Sequence, residues 1–289
     1  MLLPRYFKFI GLLLAIPSLI IGVLFQSIGY VIPFLNYHGG RPAHSIMVVT
    51  GQNNFTDELI TSLLIIGLFF IGFSRQKNED VTIANLRLKA LFWAVLVEGF
   101  LASALLIIFN SGLFRFDFIR RYDTSVLNLI INSNLFAILI VFVLRFYYLI
   151  YSNKKETELK YISFRPLVLA AKGITLILLF YIAIALLNIL QIAILDYAIF
   201  GLMPSILVWV WSGDKAESEA VESIRMRAML FSIVFSYSAF IILTWSIYHV
   251  DYLVVQYISL ASIPLVFIPI FYWLKHRQSI KTASAILAS

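Results

Sequence analysis

The feature that most limits what this chain can become is a series of eight apolar runs, each bounded by charged or turn-forming residues. They cover roughly 9–35, 57–74, 86–109, 125–150, 167–194, 197–212, 224–248 and 253–274. About 17–25 apolar residues carry an α-helix across the hydrocarbon core of a bilayer. In lipid, backbone N–H and C=O groups must be bonded internally, which leaves only helices or closed barrels. Barrel strands would alternate polar and apolar residues, and these runs do not. The sequence therefore predicts an all-α integral membrane protein with eight transmembrane helices. Composition agrees: 61% of residues are hydrophobic and 13% charged, against about half and about a quarter in soluble domains. The second and sixth runs are the shortest, which suits a small tilt or an interfacial end.

The first residues have the basic start of a signal peptide. The apolar run behind them is too long for one and lacks a small-x-small cleavage site, so it is expected to stay as the first span. There is no cysteine, which excludes disulfides, thiolate metal ligands and cysteine nucleophiles.

The formal net charge is +7. With both termini cytoplasmic, 18 of the 22 Lys and Arg fall on inside segments. Only Arg41, Arg115, Arg120 and Arg121 fall outside. The positive-inside rule then predicts a multi-pass protein of the bacterial inner (cytoplasmic) membrane with both termini cytoplasmic. It also accounts for the basicity without a nucleic-acid partner, since each cation near anionic headgroups gains about 1 kcal/mol.

The stretch "NLRLKALFWAVLV" (Asn85 to Val97) returns as "SIRMRAMLFSIVF" (Ser223 to Phe235). Arg87 aligns with Arg225, Lys89 with Arg227 and Ala90 with Ala228. Upstream, Lys77 and Glu79 match Lys215 and Glu217. "VFVLRFYYL" (Val141 to Leu149) echoes "VFIPIFYWL" (Val266 to Leu274), and Pro4 and Gly11 match Pro166 and Gly173. The pattern predicts two copies of a four-helix unit, residues 1–155 and 156–289. An even number of spans per copy makes the repeats parallel, related by a pseudo-twofold along the membrane normal. The offset between matches falls from 162 to 138 and then to 125. The first copy thus carries enlarged outer loops at 36–56 and 110–122.

The segment from Glu79 to about Arg145 resembles one hairpin of small bacterial inner-membrane proteins in which R-L-x-x-L-x-W-A opens a helix. Here Arg87, Leu88, Leu91, Trp93 and Ala94 carry the pattern. The second copy departs from it at Phe231. The resemblance implies a membrane hairpin and no activity.

Glu98 is the sharpest candidate for chemistry. It is the thirteenth residue of a 24-residue run, close to midplane depth, where an ionised acid costs about 2.5–3.5 kcal/mol. It shares a helical stripe with Ala90, Ala94 and Ala102, and the second copy offers Ala228, Ser232 and Ser236. Small residues four apart let membrane helices approach closely. The third and seventh spans are expected to pack together, with Glu98 facing Ser236 or Tyr237. Glu98 is then either a proton or cation site or a neutral acid bonded to its neighbour helix. Gln26, Asn128, Asn132, Asn188 and Gln191 are further intramembrane polar groups, read as glue between helices or as the lining of an outward cavity.

In the outer loops, His38, Arg41 and His44 flank a Gly-Gly turn. Arg115, Arg120 and Arg121 alternate with aromatic residues, as an interfacial segment would. These six residues are candidate contacts for lipid headgroups or a partner. Two histidines six apart are a weak metal signal, so no metal and no cofactor is expected. Walker, dinucleotide, H-E-x-x-H and G-x-S-x-G patterns are absent, and no enzyme is expected. The favoured function is a non-catalytic integral subunit or interaction module of a membrane complex. Its partners would be the lipid bilayer and a membrane protein or further copies of itself. The alternative is a small-solute or proton-coupled transporter using an inter-repeat cleft around Glu98.

Overall fold

Asp80 fixes where one of the longest helices begins: its Oδ1 accepts the N–H of Ile83 at 2.7 Å, satisfying one of the donors a helix start leaves open. At the other kind of boundary, Gly29 takes the left-handed conformation (φ 68°) and ends the first helix. Its N–H donates to the Phe25 carbonyl at 3.1 Å and that of Tyr30 to the Leu24 carbonyl at 3.4 Å. That is a Schellman-type stop. The run expected to extend to residue 35 is therefore helical only to Ile28. A short 3-10 turn follows at Pro33–Leu35.

The computed structural model describes residues 2–35, 54–77, 79–110, 136–152, 161–186, 195–213, 218–246 and 250–288. These hold eight α-helices: α1 (Phe7–Ile28), α2 (Thr56–Phe73), α3 (Val81–Asn110), α4 (Phe136–Tyr151), α5 (Arg165–Leu186), α6 (Leu195–Val210), α7 (Glu219–Ser246) and α8 (Val250–Ala288). No strand occurs among the described residues. Each apolar run contains one helix. Five stretches are long and apolar enough to cross a membrane: Phe7–Phe25, Thr56–Phe73, Val81–Leu105, Arg165–Ala185 and Glu219–Ser246. The chain is a membrane-embedded helical protein. At 39 residues, α8 is roughly 58 Å long and overhangs any bilayer core.

Helices α3 and α7 pack against each other at the centre. Helix α6 packs on α3, and α2 on α7. Outside these, α1 packs on α2 and α5 on α6, while α8 lies against α6 and α7. The most apolar windows of α1 and α5 are only 17% and 11% buried, against 56%, 56% and 44% in α2, α3 and α7. Phe9, Leu13 and Val23 on α1, and Leu169, Ile177 and Phe180 on α5, are exposed. Apolar flanks of this kind need lipid or a membrane neighbour as solvent.

The starts of α3 and α7, with Arg87 and Arg225, lie at one end of the bundle beside the ends of α2 and α6. There, two single-residue parallel bridges tie helix ends. Leu3 N–H donates to the Phe73 carbonyl (3.0 Å) and Arg75 N–H to the Leu3 carbonyl (2.9 Å). Ile162 N–H donates to the Trp211 carbonyl (3.1 Å) and Gly213 N–H to the Ile162 carbonyl (3.2 Å). Lys89 at the start of α3 pairs with Glu222 at the start of α7 at 2.9 Å. At the opposite end, Trp245 near the close of α7 donates Nε1–H to Ser62 Oγ at 3.0 Å and stacks on Phe55.

Close helix approach follows from small residues. A Cβ added to Gly11 would meet the Gly67 carbonyl at 2.6 Å, and one added to Gly67 would meet Ala15 N at 2.8 Å. So α1 and α2 touch backbone to backbone. Gly173, the sequence match of Gly11, faces open space. On α5 the buried positions are instead Ala171, Thr175 and Ala185, with Thr175 Oγ1 hydrogen-bonded to Ser205 Oγ at 3.0 Å.

Candidate functional site

The stripe of small residues on α3 is buried along its length. Ala90 and Ala94 are fully buried, and Glu98 and Ala102 nearly so. Across the interface Ala228, Ser232 and Ser236 of α7 are buried as well. One turn apart on their helices, Ser232 Oγ donates to the Ala228 carbonyl at 2.6 Å and Ser103 Oγ to the Gly99 carbonyl at 2.6 Å. The hydroxyls thereby satisfy themselves within their own helix and keep the surface narrow. Glu98 of α3 and Tyr237 of α7 lie within electrostatic reach of each other across this interface. The α3–α7 interface thus brings Glu98 near Tyr237, and Tyr237 shares a small void with its neighbour Ser236.

Packing at that level is complementary rather than open. Gly99 receives Leu207 of α6, whose Cδ atoms would stand 2.9 Å from an added Cβ. On the other side, Tyr237 meets Phe69 of α2 edge to face, 5.6 Å between centroids. A void of about 10 Å³ remains beside Ser236 and Tyr237, lined also by Ile138, Phe240, Ser259, Ser262 and Ile263. That is room for about one water. The Ser236 and Tyr237 hydroxyls have no hydrogen-bond partner among the described residues.

Of the other polar candidates, Gln26 lies in the last turn of α1. Asn128, Asn132, Asn188 and Gln191 lie outside the described residues, as do His38, Arg41, His44, Arg115, Arg120 and Arg121. Of the polar candidates, the structure places Glu98 near Tyr237.

Two residues play a part that the positive-inside reading of the cations misses. Arg87 and Arg225, assigned with the other inside cations to the headgroup layer, are each only 2% exposed. Arg87 Nη2–H donates to the Ser74 carbonyl at 3.2 Å, just past α2. Arg225 donates to the carbonyls of Val210 (2.9 Å) and Ser212 (3.0 Å), at the end of α6. Both guanidinium groups thus cap the negative end of a helix dipole and satisfy its last carbonyls. Each also lies 4.7 Å from a phenyl ring, Phe146 on α4 for Arg87 and Phe271 on α8 for Arg225. A flat, weakly hydrated cation suits such a place better than lysine would. The signal in the sequence is the pairing of each arginine with a matched phenylalanine in the "VFVLRFYYL" and "VFIPIFYWL" segments.

Trp93, the tryptophan of the R-L-x-x-L-x-W-A pattern, carries the Arg145 guanidinium 3.7 Å above its ring. Comparison with protein-family models, with curated proteins and with solved structures gave no match in any of the three.

Proposed function

We propose that the chain is a duplicated eight-span bundle of the bacterial inner membrane, with both termini cytoplasmic, acting as a non-catalytic integral subunit or interaction module. Its partners are lipid and either another membrane protein or further copies of itself. The observation that carries the reading is the closed centre. The void beside Ser236 and Tyr237 is about 10 Å³, and Glu98 is itself buried, whereas solute and cofactor clefts occupy roughly 300–1,000 Å³. The exposed apolar flanks of α1 and α5 supply surface for lateral association. The resemblance of the Glu79–Arg145 hairpin to small bacterial membrane proteins suits this reading and adds no activity to it.

Duplication is supported by contacts that recur under one exchange of helices, α1 with α5, α2 with α6, α3 with α7 and α4 with α8. The α1–α2 and α5–α6 pairs correspond, as do α3–α6 and α7–α2. Arg87 on Ser74 corresponds to Arg225 on Ser212, and the stacked Phe142–Phe146 pair to Phe267–Phe271. The repeat units run over 1–155 and 156–289.

A transporter reading draws on one feature, an acid at midplane depth beside two hydroxyls without described partners. Gentle purification from native membranes separates the two. A stoichiometric companion, or a defined homo-oligomer, is the expected result. Isolation as a single chain whose stability rises saturably with a small solute would replace this reading with the transporter.

A further inference from the structure

A wider opening than the void beside Ser236 and Tyr237 lies at the basic end of the described bundle. Helices α5 and α8 both flank α6 and leave between them a cavity of about 630 Å³. Four of its lining side chains are cationic: Arg165 and Lys172 on α5, Arg225 on α7 and Lys275 on α8. Among the described residues no Asp or Glu lines it. Arg225 is buried at its floor, while Arg165 and Lys275 are exposed at its rim. The walls include Trp209 and Tyr272, joined by a hydrogen bond from Trp209 Nε1–H to the Tyr272 hydroxyl at 3.3 Å. The Lys172 ammonium stands 5.7 Å from the Trp209 ring.

We propose that this cavity binds a phosphate-bearing anion, and that its occupant is the phosphodiester headgroup of an anionic membrane lipid. The volume falls within the roughly 300–1,000 Å³ of ligand clefts. Four positive side chains converging on one space, with no carboxylate among its described lining residues, favour an anion, and Lys and Arg clusters accept phosphate well. A tryptophan and a tyrosine beside those cations are the residue types that sit at headgroup level. The exposed apolar surface of Leu169 on the rim gives acyl chains a place to lie. The matching corner of the N-terminal half is occupied by its own side chains. There Lys8 stands 4.4 Å from the Tyr147 ring, and the Tyr147 hydroxyl donates to the Ile71 carbonyl at 3.3 Å and accepts from Gln76 Nε2 at 3.2 Å. Tyr147 and Tyr272 are matched in sequence, so one corner is plugged and the other open. The lipid assignment rests on reading the basic end as lying at headgroup depth. The anion site itself does not.

The test is native mass spectrometry of the full chain in detergent micelles. Phosphatidylglycerol, phosphatidylcholine or glycerol 3-phosphate is added to wild type, to Lys172→Gln/Lys275→Gln and to Val168→Trp, which fills the cavity without changing charge. Phosphatidylglycerol is expected to be retained over phosphatidylcholine. The double variant is expected to weaken it about thirtyfold, each cation contributing roughly fivefold, and Val168→Trp is expected to weaken it comparably. If glycerol 3-phosphate saturates the protein and both variants abolish it, the anion site stands and the lipid occupant is replaced by a soluble phosphate ester. If the two lipids bind alike, or if whichever variants fold bind like wild type, the proposal is overturned. A companion protein, present or absent, does not alter any of these outcomes.

Discussion

Arg87 and Glu79 meet at two points: Nη1 reaches Oε1 at 2.8 Å and Nη2 reaches Oε2 at 3.0 Å. Glu79 also accepts the Gln76 N–H at 2.8 Å. The pair therefore pins the link between α2 and α3 to the helix end that Arg87 caps.

Because Arg87 is buried, removing its carboxylate leaves a desolvated cation with only the Ser74 carbonyl and the Phe146 ring as its known supports. Glu79→Ala is expected to lower stability by about 3 kcal/mol or more, whereas Arg87→Met combined with Glu79→Ala costs less than that single change. Denaturant unfolding in detergent reads both. A double variant that loses the sum of the two single losses would remove the coupling claimed here.

The two glycines matched in sequence should respond in opposite ways. Gly11→Ala drives a methyl into the Gly67 carbonyl and is expected to cost about 1–3 kcal/mol, loosening α1 from α2. Gly173→Ala meets nothing and is expected to be neutral or to stabilise α5 by up to about 1 kcal/mol. Thermal unfolding of the two variants side by side checks the contrast, which vanishes if both shift the midpoint equally.

The cysteine-free chain makes a clean topology experiment. Lys77→Cys and Lys215→Cys, labelled with an impermeant maleimide in sealed vesicles, are expected to react from the same side. Opposite sides would rule out two parallel copies of four spans.

At the α3–α7 interface, Glu98→Gln keeps the shape and removes the charge. It is expected to fold, to unfold at or above the wild-type temperature, and to leave any companion in place, since an uncharged amide is the less costly group at this depth. Loss of the companion or of a measurable solute response in that variant would make Glu98 a working residue.

How much of this was legible beforehand depends on which physical quantity each element obeys. The helices follow from long apolar runs, but their limits do not: Gly29 stops α1 inside the run expected to reach 35, and Asp80 starts α3 ahead of the run expected from 86. The α3–α7 contact follows from the four-residue spacing of Ala90, Ala94 and Glu98. The fit of Gly99 to Leu207 and of Tyr237 to Phe69 does not follow, because it depends on how far α2 and α6 rotate about their own axes. Arg87 and Arg225 misled for another reason. A rule that counts cations per side is blind to whether each one faces lipid or caps a helix, and only their aromatic partners distinguish the two. The cavity at Lys172 and Lys275 was equally hidden, since it exists only where helices distant in sequence fail to touch.

Two of the polar contacts that join α2 and α3 to α7 are unequal. At the basic end the Lys89–Glu222 pair is about a quarter exposed on each side, and such a pair contributes roughly 1 kcal/mol or less. At the far end Trp245 adds ring stacking on Phe55 to its bond with Ser62. High salt would therefore weaken the link beside the lysines first and leave the indole end closed.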